Sequence, residues 1–427
     1  MLLLLIVFIV LLLINMPIAF VIGLSGVAWF AQDNGFSMAI AVQRVIANTQ
    51  SITFLAVPFF IFAGNLMNRT GITKNLISFA TLLTRRMAGG MAQVSVVLST
   101  MMGGISGSAV ADASMEARIL GPEMIRRGYD KGYAGGVICL TSLITATIPP
   151  SLGLILYGFI GGVSIGKLFV AGIVPGILMM IILMVTVSVT AKKRGFDIPD
   201  KDVPPPSWKE IRTELKKSVW ALIFPLILII GIRFGLFTPT EAGAFAVGYA
   251  ILVGVFVYKE LTWDGFLAAL KDSFIDNGGI ILIIALSGIF SYALTVEQAP
   301  TVITGLLFSI TENPQLLMCV IIIALVFLGM VFDSNVNIML LTPILLPALQ
   351  KMGVDPVHFG ICMMTIVTMG CMTPPVGTAL YIVCDILDCP VEHYFKETIP
   401  FYVAVVAEVI FLVFFPQVVM FIPNLLY

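Results

Sequence analysis

Charge is what this chain lacks most. Only 11% of its 427 residues are Asp, Glu, Lys or Arg, while 59% are hydrophobic. Soluble domains carry roughly 25% charged residues, so a water-soluble fold is excluded. Histidine is almost missing: His358 and His393 are the two present, and no H-E-x-x-H or other ligand spacing surrounds them. Metalloenzyme chemistry therefore has no ligand set, and no nucleophile sits beside a base as an intramembrane enzyme would need. The six cysteines (Cys139, Cys319, Cys362, Cys371, Cys384, Cys389) lie in or beside apolar segments without paired spacing and read as core thiols. A net charge of −1 offers no basic surface for nucleic acid. Alternation of period two is absent too, which argues against an outer-membrane barrel. The one phosphate-loop likeness, Gly161 to Gly166-Lys167, fails because Leu168 stands where a Ser or Thr should hold Mg²⁺.

What is abundant is long apolar sequence. The stretches 218–237, 242–258, 280–294, 316–332 and 403–419 read as membrane spans. Residues 1–15 have no basic leader and no cleavage site, so they read as a retained first helix. The fold class is an all-α polytopic membrane protein.

One unusual segment occurs twice. Residues 103–112 read GGISGSAVAD and precede Pro149-Pro150; residues 329–337 read GMVFDSNVN and precede Pro374-Pro375. A single ungapped offset of 225 carries Gly104 onto Gly329, Pro122 onto Pro347, Gly128 onto Gly353, Asp130 onto Asp355, and one double proline onto the other. Helix-breaking polar segments at matching places in two apolar halves are the mark of a secondary transporter.

Between the halves, 192–217 holds eight of the 23 Lys and Arg residues and the run Pro204-Pro205-Pro206, and reads as a cytoplasmic linker. From Ser207, with Trp208, Ile211 and Leu215 on one stripe, a short amphipathic helix along the membrane surface is expected. Six basic residues (Arg85, Arg86, Arg118, Arg126, Arg127, Lys131) flank the first motif, whereas the offset leaves Lys351 alone beside the second. The positive-inside rule then puts the ends of the first motif in the cytoplasm and those of the second outside, so the repeats are inverted. The first repeat, 1–191, is read as spans 1–15, 17–30 and 53–68, a re-entrant hairpin 88–127, a span 132–160 broken at Pro149-Pro150, and a span 166–191. The second, 218–427, is read as spans 218–236, 240–258 and 278–295, a hairpin 315–351, a span 357–385 broken at Pro374-Pro375, and a span 398–419. The stretches 33–50 and 261–276 are expected along the interface.

Non-helical backbone at membrane depth survives only where it is buried in protein or lines a cavity. Three glycines and two serines within 103–108 unwind the helix and free carbonyl oxygens, and Ser106 and Ser108 add hydroxyls. Pro149 and Pro150 remove two N–H donors and expose carbonyls one turn earlier, near Thr145 and Thr147. An all-oxygen set suits a small hard cation. The first candidate site is Gly103, Ser106, Ser108, Thr145, Thr147 and Pro149. The second is Gly329, Asp333 and Asn335 with Gly370, Met372 and Thr373, beside Ser334. Asp333 is the most informative residue, because a carboxylate at that depth marks an ion, proton or substrate path. Asp112 can serve the site or pair locally with Arg118, and Asn337 replaces it in the second copy. Glu241 reads as a first-turn carboxylate on a helix dipole.

GGISGSAVADA (from Gly103), IPPSLGLILYG (from Ile148), NMPIAFVIGL (from Asn15) and GLFTPTEAGAF (from Gly235) together resemble the large membrane subunit of tripartite ATP-independent periplasmic (TRAP) transporters, in order from Asn15 to beyond Pro400. The resemblance implies an elevator-type importer of organic anions, such as sialic acid or C4-dicarboxylates, in the bacterial inner membrane, driven by two or more Na⁺. It implies a soluble periplasmic binding protein as partner, and a small four-helix membrane subunit. No such domain precedes Met1, so that subunit is expected as a separate chain. The anion would lie between the hairpin tips, near Ser106, Asp333, Ser334, Pro150 and Pro375. A single-component sodium/dicarboxylate symporter and a proton-coupled carrier are the alternative readings.

Overall fold

The structure is a computed structural model that describes residues 2–14, 16–32, 37–198 and 204–427. Among these residues every regular element is helical. In hydrocarbon each backbone N–H and C=O needs an internal partner, and a helix supplies it within one segment. Five helices are long and apolar enough to cross a membrane: Ile165–Arg194, Trp208–Arg233, Pro239–Val257, Trp263–Val296 and Val391–Phe414; two bent pairs raise the number to seven. The first two predicted spans are separate helices, Leu2–Leu13 and Ile18–Gln32. Pro17 divides them, since it lacks an N–H and disfavours helix at the residue before it. Met1 and Asn15 of the first predicted span, 33–36 of the interfacial stretch and 199–203 of the linker lie outside the described residues.

The 225-residue offset holds in the helices. Ile18–Gln32 matches Pro239–Val257, Gly90–Gly103 matches Pro314–Gly329, and Ile165–Arg194 matches Val391–Phe414. The first hairpin returns from Gly90–Gly103 through Ala109–Ile119 and Gly121–Arg126; the second returns from Pro314–Gly329 through Ser334–Lys351. Lys131–Thr147 resumes as Leu152–Gly161 after a 46° bend, and Pro356–Gly370 resumes as Thr378–Leu387. Both Pro-Pro bonds are cis.

The path of the chain makes the repeats antiparallel. From Asp130, at the end carrying Arg126, Arg127 and Lys131, one broken span runs through its break to the opposite end. There Tyr157 donates its hydroxyl to the carbonyl of Pro356 at 2.6 Å, the residue that opens the other broken span. Reciprocally, Thr378–Leu387 ends at Asp388, whose carbonyl and carboxylate both accept from Lys131 at 3.0 Å. The two broken spans therefore cross in opposite senses, as the charge asymmetry requires.

Two expectations about surface helices are corrected. The linker's amphipathic helix is no separate element: it opens Trp208–Arg233, with Ser207 and Glu210 closing a capping box. No breaker stands between Lys217 and the apolar run, so the helix continues. Likewise 263–276 of the stretch 261–276 belongs to the unbroken helix Trp263–Val296, which Thr262 caps, roughly 50 Å long at 1.5 Å per residue. Its polar residues are matched by the first repeat: Asp272 pairs with Arg69 at 2.6 Å, and Asn65 donates to Ser273 and Asp276 at 3.0 Å. Its counterpart in the first repeat is bent by 53° between Met38–Thr49 and Ile52–Met67. Three helices were not foreseen: Ile72–Thr84, its counterpart Ala299–Ile310, and the terminal Pro416–Leu426. The hairpins and broken spans form an inner bundle. Trp263–Val296, packed along Ile18–Gln32, Met38–Thr49 and Ala56–Met67, forms an outer one beside it.

Candidate functional site

The first hairpin tip docks on the first break. Gly107 has φ +63°, a region glycine alone enters cheaply, and a Cβ there would strike the Pro150 carbonyl. The Leu152 N–H donates to the Gly107 carbonyl at 3.3 Å. Gly103 lies against the break so closely that a Cβ would stand 2.7 Å from Cβ of Ile148. With the helix ended, no donor among the described residues reaches the carbonyls of Gly103, Gly104, Ile105 or Ser106. Pro149 and Pro150 have no N–H for the carbonyls of Thr145 and Ala146, which stay free as well.

Beside these oxygens stands Asp112. Fully buried, it accepts from the Ser106 hydroxyl at 2.6 Å, and its Oδ2 has no hydrogen-bond partner among the described residues, the Thr145 hydroxyl being given to Ser99. One turn on, the equally buried Glu116 accepts from Ser95 at 2.5 Å and Ser99 at 2.8 Å, and Ser95 and Thr141 share a bond of 2.8 Å. Thr145 ties in by donating to the Ser99 carbonyl at 2.9 Å. Glu116 was missed in the sequence. The signal that could have found it is an Asp/Glu pair four residues apart among small residues, on one helix face. Ser108 caps Ala109–Ile119, its hydroxyl accepting from the Ala111 N–H at 3.4 Å.

The second tip is built alike but holds different chemistry. The Val376 N–H donates to the Met330 carbonyl at 3.1 Å, and a Cβ on Gly329 would stand 3.0 Å from Cα of Gly370. Asp333, half-buried at the position of Ser108, caps Ser334–Lys351 and accepts from the Asn335 N–H at 2.9 Å. Asn337, at the position of Asp112, donates to the carbonyls of Leu328 and Phe332 at 3.3 and 3.1 Å. It consumes tip oxygens where Asp112 adds one. The break recovers its carbonyls too: Gly370 accepts from the Thr373 N–H at 2.9 Å and Cys371 from the Ala379 N–H at 3.0 Å. The Thr373 hydroxyl donates back to Met369 at 2.8 Å.

Two expected cation ligands drop out. The Met372 carbonyl accepts from the hydroxyls of Tyr394 and Tyr402, at 3.0 and 2.5 Å, which fills both lone pairs. The equivalent Thr147 carbonyl faces Gly172 of the next span, and its hydroxyl donates to Leu143 at 3.0 Å. Both carbonyls turn away from the tips.

Both tips meet one cavity of about 390 Å³ between the inner and outer bundles. Ser106, Ser108 and Ser114 line it from the first hairpin and Asn335 from the second; Asn65, Asn68 and Asp276 line it from the outer bundle. Of the expected substrate contacts only Ser106 lies on its wall. The Pro150 carbonyl is turned onto Gly107, Ser334 is buried, Asp333 is turned to its own helix, and the Pro375 carbonyl accepts from the Tyr381 hydroxyl at 2.8 Å. At the end bearing Lys131, Asp130 caps its helix. Partial burial would raise that carboxyl, but His393 and the N–H groups of Tyr133 and Gly132 outweigh it and hold it below the usual carboxylate range.

The family model for the DctM component of tripartite ATP-independent periplasmic transporters matches residues 5–418. The chain is 34% identical over 411 residues to the sialic acid TRAP transporter large permease protein SiaM of Vibrio cholerae, covering 96% of this chain and 95% of that one. It is 32% identical over 410 residues, 95% of each chain, to the 2,3-diketo-L-gulonate TRAP transporter large permease protein YiaN of Escherichia coli. Among solved structures, the YdaH transporter of Alcanivorax borkumensis, reported to have an unusual topology, matches with a TM-score of 0.59 over 87% of each chain, at 9% identity. That last likeness is one of fold.

Proposed function

Because the chain belongs to the DctM component of the TRAP transporters, a family of large permease subunits for organic acids, we propose that it imports a small organic acid across the bacterial inner membrane by sodium-driven elevator movement. A periplasmic binding protein delivers the acid, and a small membrane subunit pairs with this chain. The inner bundle is the moving part and the outer bundle the support. Arg85, Arg86, Arg126, Arg127 and Lys131 mark the cytoplasmic end. The site cavity extends from the tips toward that end, to Ser114, eight residues past Ser106, which suits an inward-facing arrangement.

The observation that carries this reading is the unpartnered Oδ2 of buried Asp112, beside six free backbone carbonyls of the tip and the break. A buried carboxylate oxygen left alone is costly, and a hard cation satisfies it together with the carbonyls. Sodium held by Asp112, Ser106, Gly103 and Thr145 would tie the tip to the break. A second ion would belong to Gly329, Asp333 and Asn335. The helix N-termini at Ala109 and Ser334 then face the acid's carboxylate with N–H groups and the positive end of their dipoles. The relatives named for sialic acid and diketogulonate carry organic acids, which suits this polarity.

The test is a ligand screen on the partner binding protein, followed by uptake of its ligand into proteoliposomes with and without a sodium gradient at fixed pH. Uptake indifferent to sodium but following a proton gradient would transfer the coupling to protons. Uptake without the binding protein would favour a single-component symporter.

A further inference from the structure

A second cavity, about 400 Å³, lies between the bundles at the end away from Lys131. Met339 and Pro343, on the return arm of the second hairpin, form its inner wall; Arg44, Asn48, Ser287 and Ser291 form the outer one. The Arg44 guanidinium stands 4.4 Å over the ring of Tyr292, and no carboxylate among the described residues pairs with it. Among the described residues no acidic side chain lines this cavity. The site cavity is its opposite: it has no basic residue and carries Asp276.

Both charges belong to the outer bundle, and the tips lie between them. Met339 and Pro343 follow Asn335 by four and eight residues, so the level of Arg44 lies about 6–12 Å beyond the tips along the helix. An outward slide of that size places Asn335 and Ser106 opposite Arg44. We propose that Arg44, with Asn48, Ser287 and Ser291, is the outer bundle's subsite for the substrate carboxylate in the outward position, and that Asp276 disfavours the anion at the inward position and hastens its release. This deepens the elevator reading and rests on it. A fixed cation outside and a fixed anion inside give the support a direction, which the tips themselves need not supply.

Two measurements on the full transporter with its partners test this. In membrane vesicles, Asn48→Cys together with Asn335→Cys is treated with a short bifunctional thiol reagent. The double variant should cross-link and the single variants should not; absence of the cross-link overturns the outward position and the elevator reading with it. In proteoliposomes, uptake and efflux of radiolabelled N-acetylneuraminate, 2,3-diketogulonate and succinate are measured for Arg44→Gln, Arg44→Lys and Asp276→Asn. Arg44→Gln should raise the uptake KM about tenfold or more and leave the efflux KM within about twofold, with partial recovery in Arg44→Lys. Asp276→Asn should lower the efflux KM alone. An unchanged uptake KM in Arg44→Gln, or an equal rise in both directions, overturns the subsite even where the cross-link forms.

Discussion

Asp112→Asn alters one atom that the sodium reading depends on. The amide oxygen can keep the bond from Ser106, 2.6 Å in the wild type, so the tip retains its order. The unpartnered Oδ2 becomes an NH₂ group, a neutral donor among free carbonyls. Asn337 already works this way in the second repeat, donating to Leu328 and Phe332. Without sodium the variant should therefore be as stable as the wild type, or more so. Contacts to a charged group are worth about 1.5–3 kcal/mol, and each 1.4 kcal/mol is a factor of ten. The half-saturating sodium concentration should rise about 10- to 100-fold. Initial uptake rates against sodium at constant ionic strength give that number, and thermal denaturation in detergent should show the sodium-induced rise in Tm disappear. Wild-type sodium half-saturation in an assembled Asp112→Asn variant would refute the reasoning. Asp112→Ala is the poorer probe, since it strands the buried Ser106 hydroxyl at a cost of about 1–3 kcal/mol.

Asp333→Asn keeps the helix cap, because Asn caps as well as Asp, and should abolish sodium-dependent uptake with assembly intact; wild-type uptake would remove Asp333 from the mechanism. Gly370→Ala places a methyl on the backbone of Gly329, an overpacking worth about 1–3 kcal/mol, and should cut uptake about tenfold or more in an assembled protein. Glu408 is buried in Val391–Phe414 with neither oxygen partnered, where the first repeat has buried Leu183. Glu408→Leu should stabilise by about 1–3 kcal/mol, and a fall in Tm would show that Glu408 has a partner. Asp130→Ala removes a cap worth about 1–2 kcal/mol. Since the carboxyl is held below its usual range, its ionised form stabilises the fold at neutral pH. That contribution fades as pH falls below about 4, the unfolded value, so variant and wild type should converge in acid denaturation.

The hairpins and breaks were legible in the sequence because glycine and proline constrain the backbone wherever they stand. Gly103, Gly107 and Pro149 mark the tip and the break without reference to any neighbour. Continuity of the long helices was not legible, for the opposite reason. Lys271, Asp272 and Asp276 look like an interfacial surface until Arg69 and Asn65, some 200 residues earlier, are placed beside them. Ile72–Thr84 escaped because its buried stripe of Ile72, Leu76, Phe79 and Ala80 is short and sits between stronger apolar runs. The directions of the Thr147 and Met372 carbonyls depend on Gly172, Tyr394 and Tyr402, which no local pattern names. Asp333 drew attention as a carboxylate set at membrane depth, while Asp112, with Arg118 six residues on, looked locally paired.

Inversion fixes geometry and leaves chemistry free to diverge. Both tips need a close glycine contact with their break, and both have one, at Gly103 against Ile148 and at Gly329 against Gly370. Polar atoms are under no such constraint. The first repeat leaves the carbonyls of Gly103, Gly104, Ile105 and Ser106 without a donor among the described residues and adds the carboxylate of Asp112. The second occupies the carbonyls of Leu328, Met330, Phe332, Gly370, Cys371 and Met372, leaves that of Gly329 without a donor among the described residues, and sets its carboxylate at the cap. A tip with few open oxygens is held more by the protein, whereas one with many depends more on an ion. The first hairpin, whose base lies at the cytoplasmic end in the proposed orientation, is thus the one whose docking should depend more on sodium. In the proposed sodium-driven movement, a tip that loosens when its ion departs to the low-sodium side would give the inward state a way to release its cargo.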